Sequence, residues 1–238
     1  MTDLDPLNYV ALGLFAVCWL FYQPLLALLG QRGGAVINAD LTVLRVAWMR
    51  NMARRDNRLM DGQLLGQTLS SSSFFASSNL LLIAASSGAL FGGQAFHNVS
   101  NLIVVKTSSR LLFEGQLALV VVTLARGLLD FIWAIRQLNY ALAAVGATPP
   151  HVDEATSRKF GELVGRLLNP ALGSFSSGVR GYYFALAAAA WLFGPIPFIA
   201  ATIGAMALMI WRQRSSPAAT AIAELRRLIE THPTPDGG

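Results

Sequence analysis

Four long apolar runs limit what this chain can fold into: Leu7 to Gly30, Ser72 to Phe91, Leu111 to Val145 and Val179 to Trp211. A helix rises 1.5 Å per residue, so the 24 residues of the first run reach about 36 Å, enough to cross the ~30 Å hydrocarbon layer of a bilayer. Of the 238 residues, 54% are hydrophobic and 13% charged, and the mean hydropathy is +0.49. A soluble domain carries roughly 25% charged residues to clothe its core, and a disordered chain needs low hydrophobicity. Neither class fits, and an integral membrane protein is expected.

The first run follows Asp3 and Asp5, where a secretory signal would carry basic charge. It also exceeds the roughly 7–15 residues of a signal core, so a retained span is expected. The third run is too long for a simple span, and its inner end is expected to project beyond the bilayer. The last run would measure about 50 Å as one helix. Gly194-Pro195-Ile196-Pro197 interrupts it, and paired prolines favour a break, hence a hairpin of two shorter spans.

The fold expected is all-α: a polytopic membrane bundle of about five transmembrane helices near 7–30, 72–92, 111–135, 176–194 and 196–212. These make one domain, 1–214, followed by a short cytoplasmic tail, 215–238, with a disordered end. Five spans place 15 Lys and Arg on one side and 2 on the other, against 11 and 6 for four spans. Basic residues stay cytoplasmic, so the steeper asymmetry puts the N-terminus outside and the C-terminus inside.

Residues 40–65 carry a helical pattern, with Leu41, Leu44, Trp48, Met52 and Leu59 on one face and Arg50, Arg54 and Arg58 on the other. This suits an amphipathic cytoplasmic helix lying on anionic lipid, or arginines that only enforce topology. Nucleic acid is not an expected partner, since no aromatic residues interleave the basic ones to stack bases. The third loop turns at Thr148-Pro149-Pro150 and continues as a short helix to Leu168, which Asn169-Pro170 is expected to end. In the tail, Ser216-Pro217 reads as an N-cap followed by proline at the first helical position.

Ionisable and amide groups inside a span are functional candidates because their insertion is costly. These are Asn79, Glu114, Arg126 and Asp130. Arg126 and Asp130 are four residues apart, on one helix face. With Gln116, Thr123 and Gln137 they make a polar stripe that should face protein or water. Gly88-x-x-x-Gly92, Gly181-x-x-x-Ala185-x-x-x-Ala189 and Ala200-x-x-x-Gly204 allow close helix approach. They suggest a tight bundle that self-associates or binds another membrane protein. His97, His151 and His232 have no metal-ligand spacing, and Cys18 is the single cysteine. No catalytic grouping is found; neither enzyme activity, metal nor cofactor is expected.

Several stretches carry a family resemblance. They are Trp48-Met49, Arg55-Asp56-Asn57-Arg58, Leu65-Gly66-Gln67, Phe74-Phe75-Ala76-Ser77, Trp133 to Gln137 with Asn139-Tyr140, Gly146-Ala147-Thr148-Pro149, and Gly178 to Ala185 with Trp191. Together they resemble the bacterial branch of the domain-of-unknown-function 599 family over about residues 7–212. Ser70 to Ser73 depart from its pattern. The resemblance implies an uncharacterised multi-pass protein of the bacterial inner membrane and brings no activity. Asn57, Gln67, Arg136, Gln137, Asn139 and Arg180 all fall near the inner surface, as a candidate polar cluster or a belt that fixes helix ends. The leading functional expectation is a membrane scaffold, assembly factor or accessory subunit. The alternative is a channel or carrier for an ion or small solute.

Overall fold

The computed structural model describes residues 6–31, 37–92, 110–151 and 153–231. The described residues are helical, without strands: α1 Pro6–Gln31, α2 Ile37–Ala53, α3 Leu59–Phe91, α4 Arg110–Ala147, α5 Glu154–Ala190, a 3-10 turn Trp191–Phe193, α6 Pro195–Arg214 and α7 Pro217–Thr231. His97, His232, the 93–109 loop and the chain end expected to be disordered lie outside them.

Among the described residues, three stretches are long and apolar enough to cross a membrane: Leu59–Phe91, Arg110–Ala147 and Pro195–Thr231. Pro6–Tyr22 is apolar but shorter. The most apolar window of α3 is 6% buried. Leu80, Leu81 and Leu82 point outward from it. α4 is 38 residues long, about 57 Å, so it outruns a single ~30 Å crossing as its composition suggested.

The chain forms two compact units. The first comprises the described residues of 1–29, 76–129 and 177–210. Its core holds Phe15, Tyr22, Leu124, Phe184, Trp191 and Phe198. Trp191 stacks on Phe198 with centroids 5.0 Å apart, and Phe198 meets Phe15 at 5.2 Å. The expected break is present: Gly194 has φ 116°, a conformation that favours glycine, and α6 restarts at Pro195. The carbonyl of Trp191 accepts from Gly194 N–H and from Gln116 Nε2, both at 2.9 Å, while the Trp191 indole donates to Asn8 Oδ1 at 2.8 Å.

The second unit comprises the described residues of 30–75, 130–176 and 211–238. Met49, Met52, Leu65, Leu138, Val164 and Leu168 form its core. Phe75, Phe131 and Phe175 add an aromatic cluster with centroids 5.7–5.9 Å apart. α7 packs on α2, and Arg226 donates to buried Asp40 at 2.8 Å. Ser216 caps α7 as its sequence implied, accepting from Ala219 N–H at 3.2 Å.

Three boundaries differ from expectation. The amphipathic helix of 40–65 is two helices, because residues 54–58 break it. Asn57 Oδ1 accepts from Leu59 N–H at 2.9 Å, a local turn that competes with helix continuation. Leu59 therefore leaves the apolar stripe of α2, is 69% exposed, and begins α3 thirteen residues before the expected start at Ser72. Asn169-Pro170 does not end a helix either, since α5 runs through it and the stretch expected to start a span at 176 is its continuation. Val164 and Leu168 before the proline and Ala171 after it are all buried in one core, and that burial outweighs the lost backbone hydrogen bond.

Candidate functional site

Within the second unit, the segment joining α2 to α3 brings its arginines against the segment joining α4 to α5. Close helix contact sets this up. A Cβ on Gly161 would lie 2.5 Å from the Arg50 Cα, and one on Gly165 3.0 Å from Val46. The backbones of α5 and α2 therefore touch where a side chain would separate them. That approach puts Arg50 Nη2 2.7 Å from Glu162 Oε1, with Arg158 Nε at 3.5 Å from the same oxygen. Burial pushes the Glu162 carboxyl up, but hydrogen bonds and charge from Arg50 and then Arg158 outweigh it and leave it below the usual range.

The remaining arginines have separate tasks. Arg54 is ion-paired with Glu154 at the start of α5. Arg55 Nη1 donates to Asp61 Oδ1 at 2.6 Å, and Trp48 Nε1 donates to the same oxygen at 2.7 Å. Asp61 is fully buried, and its Oδ2 has no hydrogen-bond partner among the described residues. Arg58 donates to the carbonyls of Met52 and Ala53, at 3.4 and 3.2 Å, and to those of Thr148 and Pro149, the latter at 3.0 Å. One guanidinium thus closes the C-terminal ends of α2 and α4, where carbonyls lack helical partners and the dipoles are negative. The expected ridge of Arg50, Arg54 and Arg58 on one solvated helix face is corrected accordingly. Arg50 belongs to α2, Arg54 and Arg58 follow its end, and all three bond within the protein.

Arg54, Arg55 and Arg58 line a cavity of about 160 Å³ together with His151 and Ser157. His151 adopts φ 57°, a left-handed conformation for which histidine is among the enriched residues. Ser157 lies in the first turn of α5, 4% exposed, and its Oγ has no hydrogen-bond partner among the described residues. Asp153 caps the same turn, accepting from Thr156 N–H at 3.0 Å. Its hydrogen bonds with Thr156, through side chain and backbone, hold its carboxyl below the usual range. A second, wider groove of about 550 Å³ is lined by Trp48, Met60, Leu64, Gln67 and Thr68. Arg55 lines both.

Of the expected inner cluster, Asn57 serves the α3 turn, while Gln67 faces the wide groove. Arg136 is exposed and donates to Tyr140 on its own helix at 2.6 Å, with its guanidinium 5.9 Å from the Trp133 ring. Gln137 is buried and Asn139 exposed. Arg180, in the first unit, donates to Ser177 Oγ at 2.6 Å and lies 5.6 Å from the Tyr22 ring. Asn57, Arg136 and Arg180 each bond within their own stretch of chain, whereas Asp61, Glu154 and Glu162, which pair with the arginines, and Ser157, which lines the cavity, were not singled out from the sequence. A lone acid between Arg58 and an apolar run was the available signal for Asp61.

The intramembrane candidates are also placed. Asn79 is 1% exposed and donates to the Leu124 carbonyl at 3.0 Å. Glu114 pairs with Arg110 at 2.8 Å in the first turn of α4. Arg126 is exposed and Asp130 half-buried on the same helix. Gln116 and Thr123 are buried, whereas Arg126 of the same expected stripe is exposed. Gly181 approaches Gly127 so closely that its Cβ would lie 3.3 Å from the Gly127 Cα, which supports the small-residue reading there. Gly88 and Gly204 have nothing within 4 Å of where a Cβ would stand.

The described residues define an all-helical protein with three stretches long and apolar enough to cross a membrane and with arginines gathered at a small cavity. The chain belongs to the family described as Protein of unknown function, DUF599, whose model matches residues 10–218. No curated protein and no solved structure matches it.

Proposed function

We propose that this chain is a multi-pass protein of the bacterial inner membrane that acts as a scaffold, assembly factor or accessory subunit rather than an enzyme. In this reading it has five spans, with the N-terminus outside and the C-terminus cytoplasmic. The observation that carries it is how the first unit uses its polar side chains. Asn79 and Gln116 donate to the main-chain carbonyls of Leu124 and Trp191, so they lock helices to one another. Such bonds stabilise association inside a bilayer by about 0.6 kcal/mol each. The exposed apolar faces and the 15-to-2 division of basic residues support the membrane setting. Partners of this reading are another membrane protein or a second copy.

One observation favours a channel or carrier instead: Asn79 Oδ1 and Gln116 Oε1 are buried acceptors without hydrogen-bond partners among the described residues. Purified protein in liposomes separates the two. Specific co-purification of one membrane protein from cells, with electrically silent bilayers, supports the scaffold. Conductance or solute flux that Arg126→Ala abolishes would establish transport and sink it. A reporter fused after Gly238 tests the orientation and should respond as cytoplasmic.

A further inference from the structure

We propose that the cavity and groove joined by Arg55 form a stoichiometric site for an anionic phospholipid. Its phosphate would sit among Arg54, Arg55 and Ser157, and an acyl chain along Trp48, Met60 and Leu64. This rests on the membrane reading above and adds a ligand to it.

The polar half is built for one oxyanion. Its 160 Å³ is below the roughly 300–1,000 Å³ of sites for larger molecules, so it suits a single charged group. A guanidinium has five N–H donors. Arg54 donates to Glu154 and Arg55 to Asp61, which leaves each with donors for a second acceptor. Arg58 bonds to uncharged carbonyls, so no carboxylate among the described residues neutralises it directly. Glu154 and Asp56 also line the cavity; Glu154 is taken by Arg54, and Asp56 is exposed, where water screens it. Ser157 supplies the independent observation. A hydroxyl 4% exposed without a partner is costly, and an oxyanion in the cavity would accept its hydrogen. The first turn of α5 contributes the positive end of its dipole beside it.

The apolar half selects the source of that phosphate. Met60 is 67% exposed and Leu64 48%, and both belong to α3, whose apolar window is only 6% buried. Arg55 is the residue common to charge and apolar surface, the arrangement that a headgroup and its chain require. A free phosphate ion would use the cavity and leave the groove empty.

The test uses the full chain in nanodiscs of phosphatidylcholine alone or with phosphatidylglycerol, read by native mass spectrometry for retained lipid and by thermal unfolding. Phosphatidylglycerol should be retained and raise the Tm where phosphatidylcholine does not. Ser157→Ala should cut retention about tenfold, the worth of one hydrogen bond to an ion, while its lipid-free Tm stays level or rises. Leu64→Gln should weaken retention of phosphatidylglycerol but not the Tm response to inorganic phosphate. Equal retention of both lipids, or wild-type retention by Ser157→Ala, overturns the site. An unchanged Leu64→Gln together with a full response to inorganic phosphate overturns the lipid assignment. If the protein partitions into the soluble fraction of cells, the membrane reading itself falls, an outcome distinct from loss of selectivity in a protein that remains embedded.

Discussion

The Arg58 guanidinium donates to the Pro149 carbonyl at 3.0 Å across 91 residues of chain. Because the same side chain also takes the carbonyls of Met52 and Ala53, the end of α2 and the end of α4 share one cation. Removing it uncovers carbonyls at both helix ends. Arg58→Ala should therefore destabilise the protein by about 3 kcal/mol in denaturant unfolding, the scale of losing more than one charge-assisted hydrogen bond. Arg58→Lys keeps the charge but has no planar fork, and should recover less than half of the loss. Equal stability of the alanine and wild-type proteins would show that the two helix ends are held independently.

The α2–α5 approach makes a matched pair of glycine substitutions informative. Gly161→Ala places a methyl against the Arg50 backbone, which cannot move aside as a side chain could. A loss of about 3 kcal/mol is expected, with the Arg50–Glu162 pair broken as the helices separate. Gly173 lies in the same helix with nothing within 4 Å of a built Cβ. Gly173→Ala should stabilise by about 0.5–1 kcal/mol through helix propensity alone. Similar unfolding shifts for the two would refute close packing at Gly161.

What the sequence made legible follows the range of each interaction. The Gly194-Pro195 break and the Ser216-Pro217 cap were readable because glycine, proline and capping residues act on their own few residues. The all-helical content was readable from the apolar runs, since a helix satisfies its backbone within itself. The partners of the arginines were not, because Glu154, Thr148 and Glu162 lie about a hundred positions away. Pro170 misled for the same reason: its local preference to end a helix yielded to burial of Leu168 and Ala171 among distant residues. Gly161-x-x-x-Gly165 matches the small-residue pattern, yet it sits in a charged stretch, away from the apolar runs where such motifs were sought.

Acidification should act through Glu162 and Asp153, whose carboxyls both lie below their usual range in the folded chain. A depressed folded pKa contributes stability that is complete above the unfolded value and lost as pH falls through the folded one. For Glu162 the ordinary value is 4.5, so its contribution is full at neutral pH and declines below that point. Arg50 and Glu162 are both part-exposed, so the amount should be about 0.5 kcal/mol. Glu162→Gln should lower Tm slightly at pH 7 and flatten the acid limb of a Tm-versus-pH curve. An acid limb identical to that of the wild type would assign the pH response to other carboxylates.

Asn79 and Leu124 offer the last test, in the first unit, where amide and carbonyl meet at 3.0 Å. The Leu124 carbonyl belongs to an interior turn of α4, so it retains its helical partner if the amide is removed. Asn79 Oδ1 has no hydrogen-bond partner among the described residues, so the side chain gains one bond while burying one idle acceptor. Asn79→Ala should cost about 1–2 kcal/mol, combining a bond of about 0.6 kcal/mol with a small void against Gly127. Asn79→Leu refills that volume and removes the idle oxygen, and should recover most of the loss. If Asn79→Leu unfolds the protein as fully as a core deletion while Asn79→Ala is tolerated, the space beside Gly127 is too tight for a branched side chain, and packing rather than the amide bond governs this contact. If both leave folding intact but abolish solute flux in liposomes, Asn79 serves transport, and the scaffold reading fails with it.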